Sequence, residues 1–258
     1  MKQVTSSVIS NDEIMPGVYL IWLESLDIEP AAQPGQFVMV RCGDYLLPRP
    51  LSIHRLADKG GKLALLFNVM GKGTHWLSQR KPGENIDLFG LLGNGFSTQP
   101  TSRNLLLVAG GIGVAPLYFV AQEAIKKGCS VKLLYGTPNR HRYPEDLLPP
   151  QIELVSATED GTIGRKGMVT DFLPDFISWA DQVFACGPIP MYRDMARRKR
   201  ELALDEKPVH ISLEVRMGCG LGVCYGCTVK TKNGLKQVCR DGPVFDLEDI
   251  LWNELSCF

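Results

Sequence analysis

The chain has 258 residues, 45% of them hydrophobic, and its 28 basic and 28 acidic side chains cancel to a formal charge of zero. That balance offers no basic face for nucleic acid or an anionic membrane, and no apolar run reaches the length needed to cross a bilayer. The opening MKQVTSSVISNDEI lacks the apolar core of a signal peptide, so a cytoplasmic protein is expected, with two domains and a small appendage.

Residues 4 to 97 read as short strands broken by glycine and proline. VYLIWLES, GQFVMVRC, KLALLFNVMG and ENIDLFGLLG have strand composition, with Pro34-Gly35 and Pro82-Gly83 as turns between them. Strands at such spacing predict an antiparallel β barrel over residues 1–99. Inside it stand Arg49-Pro50-Leu51-Ser52, then Phe67-Asn68-Val69, Gly71-Lys72-Gly73-Thr74 and Leu91-Leu92-Gly93-Asn94-Gly95-Phe96. A guanidinium fork suits a diphosphate oxygen. Gly73 lets backbone N–H groups approach an anion, and Thr74 can add a hydroxyl. His54 and His75 are read as packing or polar-contact residues.

The composition changes after Pro100. The apolar run Asn104 to Ala109 predicts a central parallel strand. It enters Gly110-Gly111-Ile112-Gly113-Val114-Ala115-Pro116, followed by a helix over 117–127 and a second strand over 130–135. This βαβ unit places a glycine turn at a helix N-terminus, where a diphosphate can sit. Cys186-Gly187-Pro188 closes a later strand, and a helix is expected over 191–204 whose basic run Arg197 to Arg200 is a solvated face. An α/β unit over 100–207 is the expectation. Arg140 or Arg142 could accept a 2′-phosphate or be loop charges, and no acidic ribose ligand stands out.

From residue 208 to 258 the cysteines dominate. Cys219, Cys224 and Cys227 are spaced by four residues and then two, and Cys239 follows after eleven more. This is the C-x4-C-x2-C…C pattern of plant-type [2Fe–2S] ligation. Structural zinc is the alternative, although it usually uses paired C-x2-C knuckles, and this segment has one. Gly218, Gly220, Gly222 and Gly226 permit the tight loop. Of eight cysteines, Cys42, Cys129, Cys186 and Cys257 remain and are expected as reduced, mostly buried thiols.

These motifs resemble the ferredoxin-reductase-like family. The RPLS segment resembles its RxxS flavin motif, LLGNGF its PLGNGF turn with Leu91 in place of Pro, GGIGVAP its GGxGxxP turn and CGP its nicotinamide turn. The MGCGLGVCYGC loop with CRDGPVF resembles, within that family, the iron–sulfur flavoproteins of the dihydroorotate dehydrogenase B group. The resemblance implies a β barrel plus α/β two-domain architecture with a C-terminal [2Fe–2S] domain. It assigns FAD to Arg49, Pro50, Leu51, Ser52, Phe67, Asn68, Val69, Gly73 and Thr74. It assigns NAD to Gly110, Gly111, Gly113, Cys186, Gly187 and Pro188, and the cluster to Cys219, Cys224, Cys227 and Cys239. It further implies a separate FMN-containing dihydroorotate dehydrogenase catalytic subunit, two of each chain in a heterotetramer, and a role in pyrimidine biosynthesis. Relatives that serve as diaphorase subunits of ferredoxin, sulfide dehydrogenase or hydrogenase complexes share the motifs. The chain alone is not expected to oxidise dihydroorotate.

Overall fold

The computed structural model describes residues 2–255. Six strands close the barrel: β1 (Lys2–Met15), β2 (Val18–Glu24), β3 (Phe37–Val40), β4 (Arg49–Leu56), β5 (Lys62–Asn68) and β6 (Asn85–Leu92). Their spatial order is β1-β2-β5-β4-β3-β6. Closure removes the sheet edges and buries Ile21, Leu23, Val38, Val40, Ile53 and Leu65 inside. A short helix, α1 (Lys72–Ser78), follows β5 where the sequence suggested only a glycine turn.

The second sheet contains β7 (Asn104–Gly110), β8 (Ser130–Thr137), β9 (Ile152–Thr158), β10 (Arg165–Lys166), β11 (Gln182–Cys186) and β12 (Val209–Ser212), with β13 (Thr228–Thr231) and β14 (Gly234–Gln237) forming a separate hairpin before β15 (Val244–Asp246). The order is β10-β9-β8-β7-β11-β12-β15. All pairs are parallel except β12 with β15. Leu105 to Ala109 in β7 are each at most 1% exposed, as a central strand covered on both faces requires. The chain runs β7 to β8 to β9 in one direction and returns to place β11 on the other side of β7. Open sheets bind ligands at such a switch point, beyond the carboxyl ends of the strands.

Helix α2 (Val114–Lys126) joins the two sheets. Gln122 on α2 accepts the Leu56 N–H of β4 at 3.1 Å and donates to the Leu56 carbonyl at 2.9 Å. His54 lies fully buried in the joint. Its Nδ1 meets the Ala115 carbonyl at 2.9 Å and its Nε2 the Tyr143 hydroxyl at 3.0 Å. Burial lowers its pKa from 6.5 to about 3, so it is a neutral packing residue that donates to Ala115 and accepts from Tyr143.

Two helices flank the sheet, α3 (Pro174–Ile177) and α4 (Ile189–Arg197). Helix α4 ends at Arg197, short of the expected Leu204. The chain there turns into a left-handed residue, Ala203, at φ 53°, and Arg198 is engaged by Asp171, Asp194 and Glu201. The segment after residue 208 gives β12 and β15 to this sheet, since Val209, Ile211 and Leu213 continue its apolar core. The β13–β14 hairpin and α5 (Val238–Asp241) lie between those two strands in sequence. Cys257 falls outside the described residues, and no helix among those described is long and apolar enough to cross a membrane.

Candidate redox site

A cleft of about 750 Å³ lies between barrel and sheet. The RPLS segment opens β4 and all four of its residues line the cleft, with Phe67, Asn68 and Thr74. Arg49 Nη1 donates to the Leu47 carbonyl at 2.6 Å. Its guanidinium lies against Gly73 so closely that a Cβ there would sit 2.8 Å from Nε and Nη2. Arg49 has no carboxylate partner among the described residues. A fixed cation without a counter-ion at the wall of a cleft fits a diphosphate. Thr74 Oγ1 instead serves its own turn, accepting the Met70 N–H at 2.9 Å. Val69 and Gly73 do not line the cleft: Val69 packs against the barrel core, and Gly73 lies beneath Arg49.

A second cavity of about 330 Å³ opens at the switch point. Gly110, Gly111, Gly187 and Pro188 line it, whereas Gly113 and Cys186 lie behind them. An ideal Cβ on Gly113 would come 1.9 Å from the Cys186 carbonyl oxygen. These two residues therefore hold the two turns together. Tyr192 adds a fastening: its hydroxyl accepts the Gly187 N–H at 2.8 Å and donates to the Ser212 carbonyl at 2.7 Å. Burial pushes the Cys186 thiol well above its ordinary value, leaving it protonated.

The segment Ser212 to Met217 runs from β12 along the first cleft, and Glu214 within it lines both cavities. Glu214 is exposed to the cleft, and desolvation by the surrounding protein raises its carboxyl pKa. Arg216 projects into the same cleft. The sequence carried no spacing rule for either residue. Glu159, beyond the end of β9, also lines the second cavity; no local pattern in the sequence marks it as a ligand.

Met217 leads directly to the cysteine loop. The loop rests on the barrel, since a Cβ on Gly220 would meet Met39 Cγ at 2.8 Å and Leu92 Cδ1 at 3.0 Å. Asn94 of the LLGNGF turn donates to the carbonyls of Arg240 and Asp241 at 3.2 and 3.1 Å, tying the barrel to the far side of the loop. The thiols gather in two pairs. Cys219 is hydrogen-bonded to Cys224, and Cys227 to Cys239, whose N–H also points at Cys227 Sγ at 3.5 Å. Burial works against ionising Cys219, but the N–H groups of Leu221, Cys224 and Val223 draw its pKa below the ordinary thiol value. Burial and the neighbouring Cys227 push Cys239 up. Among the described residues no three His, Cys, Asp or Glu side chains close on a single point. A [2Fe–2S] core places two ligands on each of two irons, so a pairwise arrangement fits it better than one tetrahedral zinc.

Comparison with known proteins agrees with this geometry. Residues 214–251 match the iron–sulfur cluster binding domain of dihydroorotate dehydrogenase B. The chain is 38% identical to the dihydroorotate dehydrogenase B (NAD(+)) electron transfer subunit of Desulforamulus reducens, over 97% of this chain and 99% of that one. It is also 38% identical to the subunit of the same name from a Geobacillus species, with the same coverage. Among solved structures, one describing flavin-based electron bifurcation by an NADH-dependent reduced ferredoxin-NADP oxidoreductase superposes with a TM-score of 0.87 at 30% identity, over 97% of this chain and 91% of that one. By sequence over nearly its full length and by fold, this chain belongs to the family of dihydroorotate dehydrogenase B (NAD(+)) electron transfer subunits.

Proposed function

We propose that this chain links the FMN of a separate dihydroorotate dehydrogenase catalytic subunit to NAD+, through a [2Fe–2S] cluster and FAD, in the cytoplasmic synthesis of pyrimidines. Two copies of each chain form the complex. The observation that carries this reading is the segment Ser212 to Met217, which lines the cleft, touches the second cavity through Glu214 and ends two residues before Cys219. When bound, FAD exchanges a hydride with nicotinamide and single electrons with an iron–sulfur cluster, joining the two kinds of carrier.

The chain's own residues do the holding and aiming. Arg49 binds a diphosphate oxygen, while Pro50, Leu51, Ser52, Phe67 and Asn68 line the ring end of the cleft. Gly73 gives Arg49 its seat, and Thr74 and Val69 shape the turn and strand beside it. Gly110 and Gly111 present backbone N–H groups to the nucleotide diphosphate at the start of α2. Gly113 and Cys186 lock the turn that Gly187 and Pro188 present to the nicotinamide. Cys219, Cys224, Cys227 and Cys239 ligate the cluster. In this reading residues 1–99 hold the flavin, 100–207 the pyridine nucleotide and 208–258 the cluster, with β12 and β15 shared. In this reading dihydroorotate oxidation belongs to the catalytic subunit.

A second reading, a diaphorase subunit of another complex, is favoured by the similarity to the bifurcating oxidoreductase. One experiment separates them. The tagged chain is purified anaerobically with its native partner, and the visible spectrum is followed on adding dihydroorotate. Bleaching that NAD+ reverses supports the pyrimidine role. Bleaching by NADH or NADPH but not by dihydroorotate assigns the chain to the second reading.

A further inference from the structure

The second cavity has two acidic side chains in its wall, and they mark its two ends. Glu214 also faces the first cleft, so it stands at the end where the two cavities meet. Glu159 stands at the other end, beside Thr137 and Pro138. The backbone places it there: the Glu159 N–H donates to the Thr137 carbonyl at 3.2 Å, so it sits at the carboxyl ends of β8 and β9 together. From the glycine turn after β7 it lies two strands across the sheet, about 10 Å at ordinary strand spacing. The adenosine ribose joins the diphosphate directly through its 5′-oxygen, and the reach of a glutamate side chain covers the remainder of that distance.

The charged neighbours of Glu159 are occupied or turned elsewhere. Asp160 is engaged in its own turn, accepting the Thr162 N–H at 2.9 Å and the Thr162 hydroxyl at 2.7 Å. The Arg142 guanidinium donates to Ser156 Oγ at 2.7 Å and pairs with Glu145. Neither Arg140 nor Lys166 lines the cavity. The Glu159 carboxylate has no protein partner among the described residues. It is an acceptor at a position where one nucleotide offers a hydroxyl donor and the other a phosphate.

Resting on the nucleotide site proposed above, we infer that Glu159 is the specificity-determining residue of this chain for its pyridine nucleotide. Its carboxylate accepts a hydrogen bond from the adenosine 2′-hydroxyl of NAD(H) and repels the 2′-phosphate of NADP(H). Asp160 contributes nothing to the choice, and the Arg140–Arg142 pair does not form a phosphate site.

The test uses the intact complex with its catalytic partner, in wild-type, Glu159→Gln and Asp160→Asn forms. The probes are 5′-AMP and adenosine 2′,5′-bisphosphate (2′,5′-ADP), which differ only at the 2′ position and carry no nicotinamide. Their binding is measured by calorimetry, and their competition with NADH by the rate of flavin bleaching. Wild type is expected to prefer 5′-AMP. Glu159→Gln is expected to narrow that preference by about tenfold, mainly by tightening 2′,5′-ADP, as removal of one charged contact predicts. Asp160→Asn should leave the ratio unchanged. An unaltered ratio in Glu159→Gln, with NADH still bound, overturns the role of Glu159 and leaves the nucleotide site standing. An equal shift in Asp160→Asn overturns it as well, since general negative potential would then suffice. Failure of wild type to bind either probe refutes the nucleotide site itself, and the inference with it.

Discussion

Gly113 offers a direct test of how the two nucleotide turns are held. Its φ is −60°, inside helical space, so a side chain there meets no conformational penalty and only space is at issue. The Cβ of Gly113→Ala would lie 1.9 Å from the Cys186 carbonyl oxygen, 2.4 Å from the carbonyl carbon and 2.9 Å from the Gly187 nitrogen. All three are backbone atoms, so no rotamer change can relieve the clash. Regaining a 3.4 Å contact requires the turns to part by about 1.5 Å, which places the cost at or above the usual overpacking range, about 3 kcal/mol. A domain of ordinary stability survives that loss. A displacement of this size at a reacting centre costs about a hundredfold in rate. Flavin bleaching by NADH in stopped flow should therefore slow by about two orders of magnitude, while FAD and iron content hold. Gly128→Ala is the control. That glycine has φ +77° and nothing within 4 Å, so it should lose about 1 kcal/mol of stability with no change in NADH reactivity. If Gly113→Ala were reduced by NADH within a few-fold of wild type, the wedge argument would be wrong.

Three further outcomes are expected. Cys224→Ser should abolish the cluster signal in the visible and electron paramagnetic resonance spectra while FAD stays bound; parallel loss of flavin and iron would refute separate holding of the two groups. Arg49→Ala should weaken FAD retention at least tenfold, as loss of a charged hydrogen bond predicts, and unchanged flavin after gel filtration would count against its role. His54 should make the fold acid-sensitive. Its pKa is lowered from 6.5 to about 3, so the unfolded chain binds the proton first, and its contribution is intact above pH 6.5 and fades as pH falls towards 3. Between pH 6.5 and 5 the loss is about 2 kcal/mol. Denaturant midpoints at the two pH values should show it, and a flat profile would place His54 outside the buried joint.

Much of the site was legible because its motifs state backbone demands. RPLS, GGIGVAP, CGP and the cysteine spacing each require a turn or close approach that few residues can make, so they stand out without tertiary knowledge. Gly113 and Cys186 sit in two such motifs 73 positions apart, and only the folded sheet shows that they face each other rather than the cavity. Glu159 and Glu214 are single acids at strand ends, and nothing local distinguishes them from solvated charges. The Thr74 hydroxyl looked available for a ligand but is drawn into its own turn. The sharing of β12 and β15 with the nucleotide sheet depends on long-range pairing, which composition does not report. Helix α4 ends early because the salt bridges of Arg198 and the left-handed Ala203 override a basic, helix-favouring run.

The position of the cysteine loop between two paired strands has a consequence for how charge moves. β12 leaves the sheet at Ser212 and β15 returns beside it at Val244, with the Leu213 N–H donating to the Pro243 carbonyl at 2.8 Å. The loop is thus an excursion stapled at both feet, unlike a carrier module swinging on a linker. A swinging module delivers its charge at the pace of diffusion and at an effective concentration set by linker length. A stapled loop has no such search: its distance to the flavin cleft is a constant of the fold. Solvent viscosity and crowding should then leave the internal step untouched, and any gating must come from the partner or from the nucleotide. The feet of the loop are held together by protein hydrogen bonds alone.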